Sequence, residues 1–278
     1  MGTAEFTALI IATSFLAGLL GALTGLGGGV VIVPVLALLF KVDIRYAIGA
    51  SLVSVIATSS GAAVAYVKDG LSNIRIGMFL EIATTIGALV GAYLTTVVTT
   101  HYIAIIFGVV LLYSALSSFH KPPEDAANMS PDALAQTLRL KGSYSDENGE
   151  CVYAARNVPT GFGIMVGAGT LSGLLGIGSG AVKVLAMDRA MRLPFKVSTT
   201  TSNFMIGVTS AASAGVYLGR GYIEPTLAVP VMLGVLGGSF LGSRILIHAK
   251  VGTLKFVFAL VLILLSIEMI YSGLTGRI

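Results

Sequence analysis

Charged residues are scarce in this sequence: they make up 11% of its 278 residues, whereas 55% are hydrophobic. Soluble domains carry roughly 25% charged residues, so this chain has too few to cover a surface that faces water. The mean hydropathy of the chain is +0.92. We therefore interpret the chain as a polytopic integral membrane protein, most of which lies within the bilayer.

The residue patterns of common catalytic and metal sites are also missing. A single cysteine, Cys151, excludes an intramolecular disulfide and a metal cluster built on cysteines. The histidines His101, His120 and His248 do not have metal-site spacing. No Ser-His-Asp or Cys-His arrangement indicates nucleophilic catalysis, and the glycine-rich segment 25–29 lacks the Lys-Ser/Thr of a P-loop. We expect no enzyme, no ATP-driven pump and no cofactor. The basic residues are scattered, which argues against nucleic acid as a partner.

Ten apolar stretches are long enough to form helical elements, five in each half of the chain. The second stretch of each half, 29–40 or 180–190, is short: about 12 helical residues rise ~18 Å, against a hydrocarbon core of ~30 Å. We predict that each is a half-helix that follows a glycine-rich break. The other stretches are 6–24, 47–67, 76–98 and 102–119, then 160–175, 198–218, 226–247 and 254–272.

The two halves are related by a repeat with a constant offset of 151 residues and no gap: Ser51 matches Ser202, and Tyr66 matches Tyr217. An odd number of elements per half inverts the second repeat relative to the first, as in many secondary transporters. If the first stretch of each half and the half-helix after it together make a single membrane crossing, each half has four crossings. The two repeats are then parallel to each other. We favour the inverted plan. The predicted fold is all-α, with transmembrane repeats at 1–120 and 158–278.

Residues 121–157 form the one long polar segment, which we interpret as a cytosolic insert. Ser130 and Pro131 are typical of a helix start, and Asn148-Gly149 lies between two segments typical of a β-hairpin. The segment is either a folded linker between the repeats or an element that regulates the protein or docks a partner.

Lysine and arginine residues indicate the orientation, because short cytoplasmic loops are enriched in them. The inverted plan puts both termini outside the cytoplasm of a multi-pass protein of the inner cell membrane. The basic residues on the cytoplasmic side are then Lys68, Arg75, Lys121, Arg139, Lys141, Arg156, Arg189, Arg192, Lys196, Lys250 and Lys255, and those on the other side are Lys41, Arg45, Arg220 and Arg277.

The glycine-rich breaks are the first candidate binding site. A break before a half-helix directs free backbone N–H groups and a positive helix end into the membrane, which suits an anion. The alternative is close packing of helices through small residues. The candidates are Gly27, Gly28 and Gly29 in the first half, and Gly178, Ser179 and Gly180 in the second.

Charged and hydroxyl side chains near the breaks extend this candidate site. Lys183 replaces Ile32 of the first half and lies in the first turn of the second half-helix. It either binds the anion, or extends to the headgroups, or pairs with Asp188. Glu81 is either a proton-coupling carboxylate or an interfacial residue. Ser198 is a predicted N-cap, and the deeper polar candidates are Ser51, Thr201, Ser202 and Asn203.

The paired motifs Gly25-Leu-Gly-Gly-Gly-Val-Val-Ile-Val-Pro34 and Gly173-Leu-Leu-Gly-Ile-Gly-Ser-Gly180 resemble the signature of a known family, the sulfite exporter TauE/SafE-like family, also called the toluene sulfonate uptake permease family. The segments 193–203 and 230–239 add to the resemblance. It implies transport of small sulfur-containing or organic anions, such as sulfite, sulfonates or sulfoacetate, across a prokaryotic inner membrane, by import or export. The insert is longer than the usual connector of the family.

Three hypotheses follow. The first is a secondary transporter that carries a small anion by alternating access, driven by a proton or a sodium ion. The second is a passive anion channel. The third, which the absence of a catalytic set disfavours, is a membrane enzyme or a scaffold that docks through the insert. The oligomeric state stays open.

Overall fold

The structure is a computed structural model, and it describes residues 2–24, 28–68, 72–117, 132–146, 149–246 and 251–277. Within these ranges it contains eleven α-helices, one π-helical turn and two strands. The helices of the first half are α1 (Thr3–Thr24), α2 (Gly29–Leu38), α3 (Ile44–Lys68), α4 (Ile74–Val97) and α5 (Thr100–Ser117). Next come α6 (Ala133–Thr137), β1 (Lys141–Asp146) and β2 (Gly149–Ala154). The second half has α7 (Val158–Leu175), α8 (Gly180–Leu185), the π-turn Ala186–Ala190, α9 (Phe195–Gly219), α10 (Pro225–Leu246) and α11 (Val251–Thr275).

The long helices expose apolar rather than polar side chains. Helix α4 exposes Ile82, Ile86 and Tyr93, each by more than half, whereas its glycines and Glu81 are buried. Such a surface suits lipid and not water. In the described residues three helices are long and apolar enough to cross a membrane, within 74–97, 158–175 and 225–242, and five shorter apolar helices accompany them. The all-α membrane architecture predicted from composition is thus confirmed.

The second glycine-rich segment breaks the helix where its sequence predicts. Helix α7 ends at Leu175, and Gly176, Gly178 and Ser179 follow with φ of 67°, 68° and 45°. These left-handed conformations strain any residue with a Cβ, which explains the glycines at 176 and 178. The first break includes Gly27, which lies outside the described residues.

Helix contacts recur under the 151-residue offset. Helix α1 packs on α10, and its counterpart α7 packs on α4, which is the counterpart of α10. Glycines at these contacts let one backbone touch another, because a Cβ would collide with the facing carbonyl. Equivalent contacts join Gly18 to Val235 and Gly169 to Thr84, and join Gly238 to Phe15 and Gly87 to Val166.

Helices α5 and α11 are counterparts under the same offset, and they pack directly on each other. Gly108 of α5 faces the backbone of Ser266, whereas Gly273 of α11 faces the backbone of His101. The residue numbers rise along one helix as they fall along the other, so the two counterpart helices run antiparallel. Helices α4 and α7, which are not counterparts, run parallel, since Gly87 faces Val166 and Gly91 faces Thr170.

The polar insert folds onto one end of the helices. Strands β1 and β2 pair antiparallel, with Lys141 opposite Ala154. Leu140 and Tyr153 are buried in a cluster with Ile76 of α4. The amide of Asn73 donates to the Tyr153 hydroxyl at 3.0 Å and to the carbonyl of residue 141 at 3.3 Å. Helix α6 begins at Ala133 with Asp132 at its N-cap, and the predicted signals Ser130, Pro131 and Asn148 lie outside the described residues.

Candidate functional site

A buried cluster of Lys183, Thr209 and Glu81 joins both halves of the chain. The Lys183 ammonium donates to Thr209 Oγ1 at 2.5 Å, and the Thr209 hydroxyl lies 2.6 Å from Glu81 Oε1, to which it donates. Lys183 and Thr209 have no exposed surface, and Glu81 is 4% exposed. A positive and a negative side chain therefore meet through one hydroxyl, out of contact with solvent.

The three side chains come from three helices. Lys183 is the fourth residue of the six-residue helix α8, which follows the break, so the break places the ammonium inside the helical bundle. Thr209 lies near the middle of the 25-residue helix α9. Glu81 is two turns inside the 24-residue helix α4, and its side chain is buried there. Ionisable residues inside membrane helices are costly and usually functional.

Hydroxyl groups surround the two charges. The Thr85 hydroxyl lies 3.3 Å from Glu81 Oε1, and the Thr84 hydroxyl lies 3.4 Å from that of Thr209. The second carboxylate oxygen, Glu81 Oε2, is buried and has no hydrogen-bond partner among the described residues. The same is true of Ser179, at the N-cap of α8, and of Ser210, next to Thr209. A buried acceptor without a donor costs about 1–3 kcal/mol. A proton or a water at Glu81 Oε2 would remove that cost.

The symmetry-related location of the repeat has no such charge pair. Under the offset of 151, Lys183 corresponds to Ile32, Glu81 to Met232 and Thr209 to Thr58. The Thr58 hydroxyl donates to carbonyls of its own helix, at residues 54 and 55. Both charges are thus replaced by apolar residues in the other copy. The pair breaks the symmetry of the repeat at one location.

The predicted glycine sites are closely packed. A Cβ on Gly178 or Gly180 would lie 2.6 Å or 2.7 Å from the side chain of Ile206, and a Cβ on Gly29 would lie 2.6 Å from Ser51 Oγ. Gly28, with φ of −65°, is in ordinary helical geometry and faces the side chain of Val235. Close packing, the alternative in the sequence analysis, accounts for all of these contacts.

Two of the predicted serines hold the break in place. Ser51 donates to the carbonyl of Gly176 at 2.8 Å, and Ser202 donates to the carbonyl of Gly180 at 3.2 Å. Gly176 follows the C-terminal end of α7, where carbonyls lack intrahelical partners, and the Ser51 hydroxyl satisfies its carbonyl. Gly180 is the first residue of α8, and the Ser202 hydroxyl ties its carbonyl to α9. Ser51 and Ser202, which are counterparts in the repeat, therefore support the backbone around the cluster.

Comparison with known proteins agrees with this architecture. The family model described as "Sulfite exporter TauE/SafE" matches residues 10–269 of the chain. The chain belongs to the sulfite exporter TauE/SafE family. It is 29% identical to the probable membrane transporter protein YunE of Bacillus subtilis (strain 168), and the match covers 96% of this chain and 98% of that relative. It is 26% identical to the probable membrane transporter protein YdhB of the same organism, and the match covers 85% of this chain and 89% of that relative. No solved structure matches the chain.

As a member of this family the chain is a membrane transporter and not an enzyme. Two further relatives are also named as probable membrane transporter proteins. The relative from Methanocaldococcus jannaschii is 25% identical, with 85% of each chain covered, and the relative from Haemophilus influenzae is 26% identical, with 80% of this chain and 75% of the relative covered.

Three other sequence-predicted residues of this transporter lie outside the cluster. Thr201 accepts a hydrogen bond from the backbone N–H of Asn73 at 3.1 Å and so ties α9 to the start of α4. Asn203 is half-buried and lies about 120° around α9 from Thr209, by the 100° step of an α-helix. Ser198 is not an N-cap: α9 begins at Phe195, and Ser198 donates to the carbonyl of Leu193.

Lys183 does not reach the headgroups, because it is fully buried, and its ammonium bonds to Thr209 rather than to Asp188. The carboxylate of Asp188 interacts with Arg189 and Arg192 instead. The sequence analysis did not select Thr209 as a candidate. Its spacing of seven residues from Ser202 places both on one face of α9, and that signal was available without the structure.

Proposed function

We propose that this transporter carries small sulfur-containing or organic anions, such as sulfite, sulfonates or sulfoacetate, and that Lys183 binds the anion. The observation that carries the proposal is the burial of the Lys183 ammonium next to hydroxyl groups. Among the residues whose burial the structure describes, it is the one lysine or arginine that is fully buried. An ammonium and hydroxyl donors form strong, charge-assisted hydrogen bonds with the oxygens of a sulfonate or sulfite.

We propose that the two repeats, at 1–120 and 158–278, are inverted relative to each other. The antiparallel packing of α5 on its counterpart α11 supports this plan. Two counterpart helices that cross the membrane run in the same direction in a parallel repeat, and in opposite directions in an inverted one. Lys41 and Arg192 are counterparts in the repeat and have similar backbone conformations, at φ of 52° and 55°. In the inverted plan they would lie on opposite sides of the membrane.

We further propose that transport proceeds by alternating access. The cluster is closed in this structure, since neither Lys183 nor Thr209 has any exposed surface. An anion reaches Lys183 only when packed helices separate on one side, and it leaves when they separate on the other. The short helices α2 and α8, which begin at matching positions of the two repeats, supply the elements that move. With the basic loops and the insert at 121–157 in the cytoplasm, the membrane would be the inner cell membrane.

Purified protein in liposomes tests the proposed substrate class. Uptake of sulfite, methanesulfonate and sulfoacetate is measured for the wild type, Lys183→Met and Lys41→Met. Lys41 is an exposed lysine in the α2–α3 loop and serves as the matched control. We expect the wild type and Lys41→Met to transport at least one of these anions, and Lys183→Met to lose that transport.

Lys183→Met leaves Glu81 as a buried charge without a counterion, and this variant risks misfolding. Lys183→Met/Glu81→Gln removes both charges and keeps the test valid. Transport of none of the three anions by the wild type contradicts the proposed substrate class. Large single-channel currents that do not respond to a proton or sodium gradient identify a passive channel instead.

A further inference from the structure

The charge balance of the Lys183–Thr209–Glu81 cluster restricts what it can bind. In the closed structure one ammonium and one carboxylate neutralise each other through the Thr209 hydroxyl. A monovalent anion that binds Lys183 would leave the buried cluster with one excess negative charge. Such an uncompensated charge costs several kcal/mol in a medium that excludes water. The excess disappears when Glu81 binds one proton.

The geometry points to proton-coupled transport at this cluster: resting on the proposed anion site, we propose that Glu81 takes up one proton each time Lys183 binds a monovalent anion. The proton and the anion cross the membrane together, and the cluster with both bound has the same net charge of zero as the empty cluster. The coupling is therefore one proton to one anion and moves no net charge across the membrane.

The hydrogen bonds of Thr209 accommodate both states. The hydroxyl has one hydrogen, and three acceptors lie within reach: Glu81 Oε1 at 2.6 Å, the Met205 carbonyl at 2.9 Å and the Thr84 hydroxyl oxygen at 3.4 Å. When Glu81 is a carboxylate, the hydrogen turns to it. When Glu81 is protonated on Oε2, Oε1 becomes a neutral carbonyl oxygen and a weaker acceptor, so the Thr209 hydrogen is free to turn to Met205 or to the anion.

The neighbouring helices offer Glu81 one charged group. Helix α7, which packs along α4, has no titratable side chain, and α8 contributes Lys183. The titratable residues of α9 lie far from Thr209: Lys196 is in its first turn, and Tyr217 donates to the carbonyl of Gly173. The remaining titratable side chains of this region, Asp188 and Arg189, belong to the π-turn after α8. The buried oxygen Glu81 Oε2, which has no partner among the described residues, provides the position for the proton.

The experiment measures anion uptake and proton movement together in liposomes that contain the purified protein. Methanesulfonate is the probe for coupling, because it stays a monovalent anion across the tested pH range; sulfite and sulfoacetate, which carry up to two negative charges, are run in parallel for uptake alone. The variants are Glu81→Gln, which mimics the protonated carboxyl, and Glu268→Gln, which makes the same change at an exposed position of α11. Membrane potential is clamped with potassium and valinomycin.

At one proton per anion, a gradient of one pH unit drives about tenfold accumulation of the anion, since both correspond to 1.4 kcal/mol. We expect the wild type and Glu268→Gln to accumulate the anion and to move one proton with each, at a rate that does not depend on the potential. Glu81→Gln should still exchange labelled for unlabelled anion but should not accumulate it. In infrared difference spectra, anion binding should add a protonated-carboxyl signal that Glu81→Gln lacks.

The outcomes separate the two proposals. Absence of uptake in the wild type contradicts the proposed function. Uptake without proton movement, accumulation driven by sodium, or pH-driven accumulation by Glu81→Gln overturns the coupling and leaves the anion site standing. The stoichiometry and the infrared signal are measured on the wild type, so the inference stays falsifiable if Glu81→Gln does not fold.

Discussion

Lys183 and Glu81 lie in opposite halves of the chain, and both bond to the hydroxyl of Thr209. Each residue compensates the buried charge of the other. In the symmetry-related copy the two positions are Ile32 and Met232, so both charges are absent there together. Four predictions from this pair and its surroundings can be checked directly.

Removing one charge of the pair should destabilise the protein more than removing both. Lys183→Met or Glu81→Gln alone leaves one buried group without its partner, and we expect a loss of about 3–5 kcal/mol for Lys183→Met, which strands a full charge. The double variant should recover a large part of that loss. Thermal and denaturant unfolding in detergent measure the effect. Additive losses in the double variant would show that the two charges are not coupled.

The Thr209 hydroxyl should matter for transport, and its methyl group should not. Thr209→Ser keeps the hydroxyl and should retain most of the transport rate. Thr209→Val keeps the shape but removes the bridge, so we expect the rate and its dependence on pH to fall together. Liposome uptake at several pH values measures both. Equal rates for the serine and valine variants would remove the bridge from the mechanism.

Two glycines of α7 should respond in opposite ways to the same substitution. A Cβ on Gly173 would collide with the backbone of Ala88, so Gly173→Ala should destabilise the protein by about 1–3 kcal/mol, the usual cost of overpacking. Gly167 has open space around it, and Gly167→Ala should be neutral or stabilising by up to about 1 kcal/mol, because alanine favours a helix. Melting temperatures in detergent compare the two. A tolerated Gly173→Ala would contradict the close α4–α7 contact.

The contact of the insert with α4 should depend on the Asn73 amide. Asn73 caps α4 by accepting from the N–H of Ile76, and its amide nitrogen donates to Tyr153. Asn73→Asp retains the cap and loses the donor to the carbonyl of residue 141, while the Tyr153 hydroxyl can donate to the new carboxylate. Asn73→Ala loses the cap and both donated bonds, at about 1 kcal/mol for the cap. We expect faster proteolysis of the insert in both variants, and a lower melting temperature mainly in Asn73→Ala. Unchanged proteolysis would mean that the packing of Leu140 and Tyr153 holds the insert alone.

Much of the fold follows from the sequence for a simple physical reason. The bilayer requires long apolar helices, so hydropathy alone locates them: the predicted stretches 76–98 and 198–218 correspond to Ile74–Val97 and Phe195–Gly219. The break at 176–179 was also predictable, because glycine is the residue that tolerates a positive φ.

The partners of the site residues were decided by the tertiary structure. Composition and spacing identified Lys183 as a candidate and left Glu81 between two roles, and they selected Asn203 but not Thr209. The Thr209 hydroxyl is 26 residues from Lys183 and 128 from Glu81 along the chain. A hydrogen bond acts over about 3 Å, so its partners depend on how the helices pack and rotate, which local sequence patterns do not specify. The sequence by itself determined a membrane protein made of two related halves with broken helices, and the packing of α4, α8 and α9 decided which side chains meet at its centre.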